Sequence, residues 1–245
     1  MHCSGLTLCL TEQIPITMKI GVILSGNGVY DGSEIHEAVF TLLAIAEHKA
    51  EYSIYAPDIE QHHVINHVTG EEMPEARNVL VESARIARGQ IQPLSEFNIG
   101  ELDALVLPGG FGAAKNLTKW AFSGPDGDIL QEVADAIKST IEAQKPVVGL
   151  CMGPTVIAKA LEGTNIQPSL TVGSTEDSSP YDIAGISAGM EQAGAVAVMK
   201  KVDEISIDQK NKIITAPCYM MEANILEIRN NVKSAINALF DMLSH

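Results

Sequence analysis

No run in the 245-residue chain approaches the roughly 20 consecutive apolar residues that a membrane-spanning helix needs, so no membrane partner is expected. Basic side chains are scarce: 16 Lys and Arg stand against 31 Asp and Glu, a net charge of -15. A surface of that sign repels phosphate backbones, which excludes nucleic acid as an expected partner. Cysteine is sparse, at Cys3, Cys9, Cys151 and Cys218, and no CxxC pair occurs. That pattern excludes a disulfide-stapled secreted scaffold and a structural zinc site, and it predicts a cytoplasmic protein. Residues 1–17 hold a short apolar patch, Leu6–Leu10, but neither the basic start nor the long apolar stretch of a signal peptide. They read as a disordered N-terminal extension, with Met18 an alternative start. Histidine is nearly missing from the second half, where only the terminal His245 follows Cys151.

The apolar content is 46%, enough for a substantial core, and residues 18–245 read as one domain. Short apolar runs alternate with helical periodicity, which predicts an α/β, flavodoxin-like, doubly wound and mostly parallel sheet with helices on both faces. The expected strands are Lys19–Ser25, Tyr52–Ala56, Ala104–Leu107, Val147–Leu150 and Ala195–Val198. The expected helices are Ser33–His48, Ala76–Arg88, Asp128–Ala143, Pro154–Leu161 and Glu222–Leu243. Two strands within Glu204–Ala216, joined at Asp208–Lys212, predict an antiparallel hairpin at one sheet edge, and Gly163–Gly185 reads as a surface loop.

Three strand ends carry the candidate chemistry. Gly149-Leu150-Cys151-Met152-Gly153 reads G-x-C-x-G, a nucleophile elbow with sulfur in place of oxygen. A cysteine on that turn, at a helix N-terminus, is expected to have a lowered pKa and to be thiolate near neutrality. Pro108-Gly109-Gly110-Phe111-Gly112 ends another strand in a glycine-rich turn, and the backbone N–H groups of Gly110 and Met152 are expected to form an oxyanion hole beside Cys151. The Gly26–Gly32 loop begins like a dinucleotide fingerprint, but its third glycine arrives one residue late, so no nucleotide and no other cofactor is expected. That loop is expected to shape a pocket lined by Asn27, with His36 at its border. Glu34 begins the next helix, where an acid is an ordinary capping residue. His63 and His67 have a spacing suited to metal but no third ligand, so no metal site is expected.

The segments GNGVYDGSEIHE (26–37), INHVTGEEM and ARNVLVESARIARG (within 64–89), PGGFGAAKNL (108–117), GLCMGP (149–154) and NKIITAPCYM (211–220) together resemble the PfpI-like superfamily, with its class I glutamine amidotransferase-like fold. The specific likeness is to the ElbB glyoxalase family, whose name refers to isoprenoid biosynthesis. The resemblance implies a homodimer, a nucleophile at Cys151, an acid at Glu34 hydrogen-bonded to it, and oxyanion-hole amides at Gly110 and Met152. It also implies cofactor-free conversion of glyoxal or a related small 2-oxoaldehyde to a 2-hydroxy acid. The histidine that relatives place after the elbow is missing from Thr171-Val172-Gly173-Ser174, so a Cys-His-Glu triad for glutamine hydrolysis is not expected. Two other functions fit the same cysteine: a redox sensor, or a non-catalytic binding or chaperone-like module.

Overall fold

The computed structural model describes residues 17–244, so apart from Thr17 the expected N-terminal extension, with Cys3 and Cys9, lies outside the described residues. In chain order the elements are β1 (Lys19–Ile23), α1 (Ile35–Glu47), β2 (Glu51–Ala56), α2 (Val79–Ile86), β3 (Gln92–Pro93), β4 (Ala104–Leu107), α3 (Trp120–Ser123), α4 (Gln131–Glu142) and β5 (Val147–Leu150). They continue with α5 (Gly153–Leu161), β6 (Ser169–Leu170), α6 (Ile183–Gln192), β7 (Val196–Ala197), β8 (Ser206–Asp208), β9 (Ile213–Ala216) and α7 (Ile225–Leu243).

The central sheet runs β3-β2-β1-β4-β5-β9-β8, and every pairing is parallel except the β8–β9 edge hairpin. Strands β1, β4 and β5 are buried almost throughout, which is why they read as unbroken apolar runs rather than alternating ones. From β1 the chain crosses through α1 to β2 on one side, and from β4 through α4 to β5 on the other. Right-handed crossovers in opposite directions put α1 and α4 on opposite faces. Helix α1 packs on α7, and α4 packs on α5. The strand order reverses between β1 and β4, and the crevice beyond the carboxyl ends of those strands is where such sheets bind ligands.

The expected fold class, its main strands and its edge hairpin agree with the structure. One expected strand is placed differently: Ala195–Val198 contributes β7, which pairs with β6 in a separate two-stranded parallel sheet. The Gly163–Gly185 segment, read as a loop, contains β6 and leads into α6. Helix α6 escapes a periodicity reading because Gly185 and Gly189 interrupt it; Asp182 starts it by accepting the Gly185 N–H. Gly189 is needed there, since a Cβ on it would come within 2.9 Å of the Trp120 ring.

Candidate active site

Cys151 sits between β5 and α5 with φ +55°, a left-handed conformation that costs a non-glycine residue about 1–2 kcal/mol. Sheet pairing enforces it: the Cys151 N–H donates to the Ala216 carbonyl at 2.9 Å, continuing the β5–β9 ladder while the chain turns into α5. Both elbow glycines are explained by close packing. A Cβ on Gly149 would lie 2.8 Å from Ile157 Cδ1, and one on Gly153 would lie 2.8 Å from the Leu107 carbonyl oxygen. No side chain caps α5, and the backbone N–H groups of Met152 and Gly110 lie near the Cys151 sulfur, where they favour the thiolate. Both amides expected to act together border the same cysteine.

Gly109 lies against the cysteine. A Cβ there would fall 2.2 Å from Cys151 Cβ, 2.8 Å from its Sγ and 2.6 Å from Glu37 Oε2. The sulfur and the carboxyl thus crowd one point behind a residue that has no side chain. Glu37 reaches this point from the first turn of α1 and is fully buried. Its Oε2 accepts the Gly109 N–H and its Oε1 accepts the Tyr219 N–H, both at 3.1 Å. The α1 start is locked to the β4 loop by the Glu34 N–H donating to the Gly109 carbonyl at 2.9 Å.

This corrects the expected acid. Glu34 is the N-cap of α1, and its Oε2 accepts the Glu37 N–H at 2.7 Å. Helical geometry supplies the reason. The capping residue turns its carboxyl back on its own helix end, and the residue three positions later, one turn on, faces the sheet. Glu37 was legible as the second acid of GSEIHE, but nothing in the sequence says which of two acids one turn apart faces inward.

The electrostatics correct a second expectation. Burial, then the charge of Glu37, push the Cys151 thiol up rather than down, and the amides of Gly110 and Met152 only partly oppose this. Burial and the neighbouring charge of Glu34 raise Glu37 to about 8. The helix end stabilises a thiolate, but removal from water and an adjacent acid outweigh it. Thiol and carboxyl behave as one coupled unit that must lose a single proton to become nucleophilic.

A cavity of about 230 Å³ opens above Cys151, walled by Val29, Phe111, Trp120, Tyr181 and Met220 among others. Tyr181, pushed up to about 12 first by burial and then by the charge of Cys151, keeps its hydroxyl proton. Neither expected pocket residue from the first loop lines the cavity. Gly28 turns the chain with φ +137°, and Val29 rather than Asn27 faces inward. His36 is exposed and meets the cavity wall only indirectly, its Nδ1 lying 2.9 Å from the hydroxyl of Tyr219. Tyr181, Tyr219 and Trp120 had no motif to mark them, since they come from segments scattered along the chain.

The Gly26–Ser33 loop spends its amides on its own turn and on α2. The Gly26 N–H donates to Ser83 Oγ, Gly28 N–H to the Ser33 carbonyl, and Gly32 N–H to the Gly28 carbonyl. Those amides already have protein partners and are not turned toward a phosphate. His63 and His67 do not share a helix; His63 lies beside His62 and Phe122, and His67 beside Tyr30. Among the described residues no group of three or more His, Cys, Asp or Glu is placed to hold a metal, and no helix is long and apolar enough to cross a membrane.

Residues 76–233 match the glutamine amidotransferase class-I family. The ES1 protein homolog, mitochondrial, of Rattus norvegicus is 39% identical over 226 residues, covering 91% of this chain and 84% of its own length. The human glutamine amidotransferase-like class 1 domain-containing protein 3, mitochondrial, is also 39% identical, covering 91% of this chain and 83% of its own. Among solved structures, the isoprenoid biosynthesis protein with amidotransferase-like domain from Ehrlichia chaffeensis superimposes with TM-score 0.84 at 30% identity, covering 93% of this chain and 100% of that one. The names of the curated relatives overturn the expected cytoplasmic location, because both are mitochondrial proteins. Sparse cysteines without a disulfide pattern fit a reducing environment, and that is no address, since more than one compartment is reducing. On these matches and on the elbow geometry together, the chain belongs to the class I glutamine amidotransferase family and is similar in sequence over most of its length to the ES1 proteins.

Proposed function

We propose that this protein is a cofactor-independent glyoxalase, converting glyoxal or a related small 2-oxoaldehyde to the 2-hydroxy acid through Cys151. The observation that carries the reading is the buried Cys151–Glu37 pair, with the Gly110 and Met152 amides near the sulfur and, among the described residues, no histidine in the cavity wall. A family glutaminase would need a histidine to activate the thiol and protonate the departing amine. Here a carboxyl that holds its proton to about pH 8 takes that place, and it suits proton shuttling between neighbouring carbons.

In this mechanism the pair first releases one proton to solvent, leaving Glu37 as the carboxylate; the S–H proton then passes to Glu37 as sulfur bonds to one aldehyde carbon, and the carbonyl electron pair becomes an alkoxide held by the Gly110 and Met152 N–H groups. Glu37 protonates the alkoxide, giving a hemithioacetal. The regenerated carboxylate removes the hydrogen on that carbon as a proton, leaving an enediolate; the hydroxyl proton of that carbon moves to the neighbouring oxygen, and Glu37 returns its proton to the adjacent carbon, regenerating the carboxylate. A thioester of the 2-hydroxy acid results, and water cleaves it to the acid and the free thiol. Tyr181, still protonated, offers a hydroxyl donor in the same cavity. Purified protein without added glutathione or metal is expected to turn glyoxal into an equimolar amount of glycolate, followed by chromatography of both compounds. Loss of glyoxal without glycolate, or release of ammonia from glutamine at a higher rate, would overturn the reading.

The homodimer implied by the resemblance has a surface to support it. Ile35, Val39 and Leu43 recur every four residues on the outer face of α1 and are 43%, 45% and 46% exposed. A second copy covering this stripe would give light scattering at twice the 26.2 kDa chain mass, and Val39→Asp with Leu43→Asp is expected to return it to one. A wild-type monomer would remove the dimer from the proposal.

A further inference from the structure

The cavity above Cys151 is far larger and more apolar than glyoxal requires. Its volume is about 230 Å³. An apolar void of ~150 Å³ lined by aliphatic and aromatic side chains suffices to take up benzene in another protein. Here Phe111, Trp120, Tyr181, Ile186 and Met220 supply the wall, and Phe111 and Tyr181 meet edge to face with ring centroids 5.8 Å apart. The polar groups that the mechanism uses, the sulfur and the amides of Gly110 and Met152, belong to the elbow and the β4 turn. The wall itself is built from carbon, relieved by the tyrosine hydroxyls. A two-carbon dialdehyde would leave most of this surface against water or empty space, which loses both transfer free energy and dispersion contacts. The wall is also built in place: Trp120 is buried, and Gly189 of α6 makes room for its ring.

We infer that this cavity is a side-chain pocket for 2-oxoaldehydes bearing an aromatic or bulky apolar substituent, with the aldehyde at Cys151 and the substituent against Trp120, Phe111 and Ile186. The inference rests on the reading that Cys151 attacks an aldehyde, and it names the substrate class of that same site. A pocket that gains even one or two methylene groups of apolar contact discriminates about 10- to 200-fold.

The test compares kcat/KM for phenylglyoxal and for glyoxal in the wild type and in Ala121→Phe, where a residue at the exposed rim of the cavity would fill it. Phenylglyoxal is expected to exceed glyoxal at least tenfold, and the ratio is expected to fall at least fivefold in Ala121→Phe. A ratio near one, or a ratio that the variant leaves unchanged, would overturn the pocket assignment. Because the chain has one tryptophan, the emission of Trp120 reports on the cavity independently of chemistry. Benzyl alcohol, which cannot react with the thiol, should change it saturably at concentrations where ethanol does not. Saturable binding without turnover of either aldehyde would overturn the glyoxalase reading and support the apolar pocket. Absence of a saturable response would overturn the pocket.

Discussion

Glu37→Gln is expected to lower glyoxal turnover at pH 7 by about 10²- to 10⁴-fold, the usual range for removing a positioned proton carrier, whereas Glu34→Gln should cost less than about fivefold. Both acids lie in one turn of α1, so the contrast separates the carboxyl that faces Cys151 from the one that caps the helix. Cys151→Ser is expected to leave no measurable turnover. The pH profile carries more information than the single rate. In the wild type the coupled pair should give a rising limb near pH 8, the value to which burial and Glu34 raise Glu37. In Glu37→Gln only the thiol remains to ionise, and burial pushes it well above its ordinary range, so the limb should move to higher pH. An unchanged limb, or equal losses in the two glutamine variants, would remove Glu37 from the proton path.

The same residue sets a stability trend. Glu37 holds its proton to about pH 8 in the fold but only to about 4.5 when unfolded. Between those values the native state binds the extra proton, so stability is full below pH 4.5 and is lost as pH rises through 8. Burial raises Glu34 as well, with the same sign. At about 1.4 kcal/mol for each pH unit in which only the native state holds the proton, the loss reaches several kcal/mol. Thermal melts should show the wild type roughly 5–15 °C less stable at pH 8 than at pH 5.5, and a much smaller difference in Glu37→Gln.

Gly109→Ala is expected to reduce activity by more than about 10³-fold, because its methyl group would need the space now held by Cys151 Cβ, Sγ and Glu37 Oε2, all within 2.8 Å. Carbon atoms pack favourably at about 3.5–4.0 Å, so either the β4 turn or the cysteine must move. Overpacking of this kind costs ~1–3 kcal/mol. Thermal melts would show how much of the fold survives. The alkylation rate of Cys151 in the folded variant would show whether the sulfur has left its amides. Full activity in a folded Gly109→Ala protein would contradict the placement of sulfur and carboxyl behind this glycine.

How much of this could be read without coordinates varies residue by residue. The position of Cys151 between β5 and α5 was legible because an elbow is a local device: glycines at fixed offsets around a nucleophile, between an apolar strand and a helix, leave few geometries open. The carboxyl was not, because Glu34 and Glu37 differ only in which way α1 turns its first residues, and that rotation follows from its packing on the sheet and on α7. The thiol pKa was misjudged for a related reason. A helix end is visible in a sequence, but the burial that outweighs it is not. Tyr181, Tyr219 and Trp120 could not be chosen in advance, since a wall is made by whatever side chains the loops after several strands bring together.

The residues alone specify a doubly wound sheet, its edge hairpin and a cysteine elbow, because periodicity, turn glycines and apolar runs act over a few positions and need no distant partner. Which acid meets the sulfur, how strongly the pair holds its proton, and how wide and apolar the space above it is were assigned by packing. Those properties depend on burial and on contacts between segments more than a hundred residues apart, such as the Glu37 carboxyl and the Tyr219 N–H.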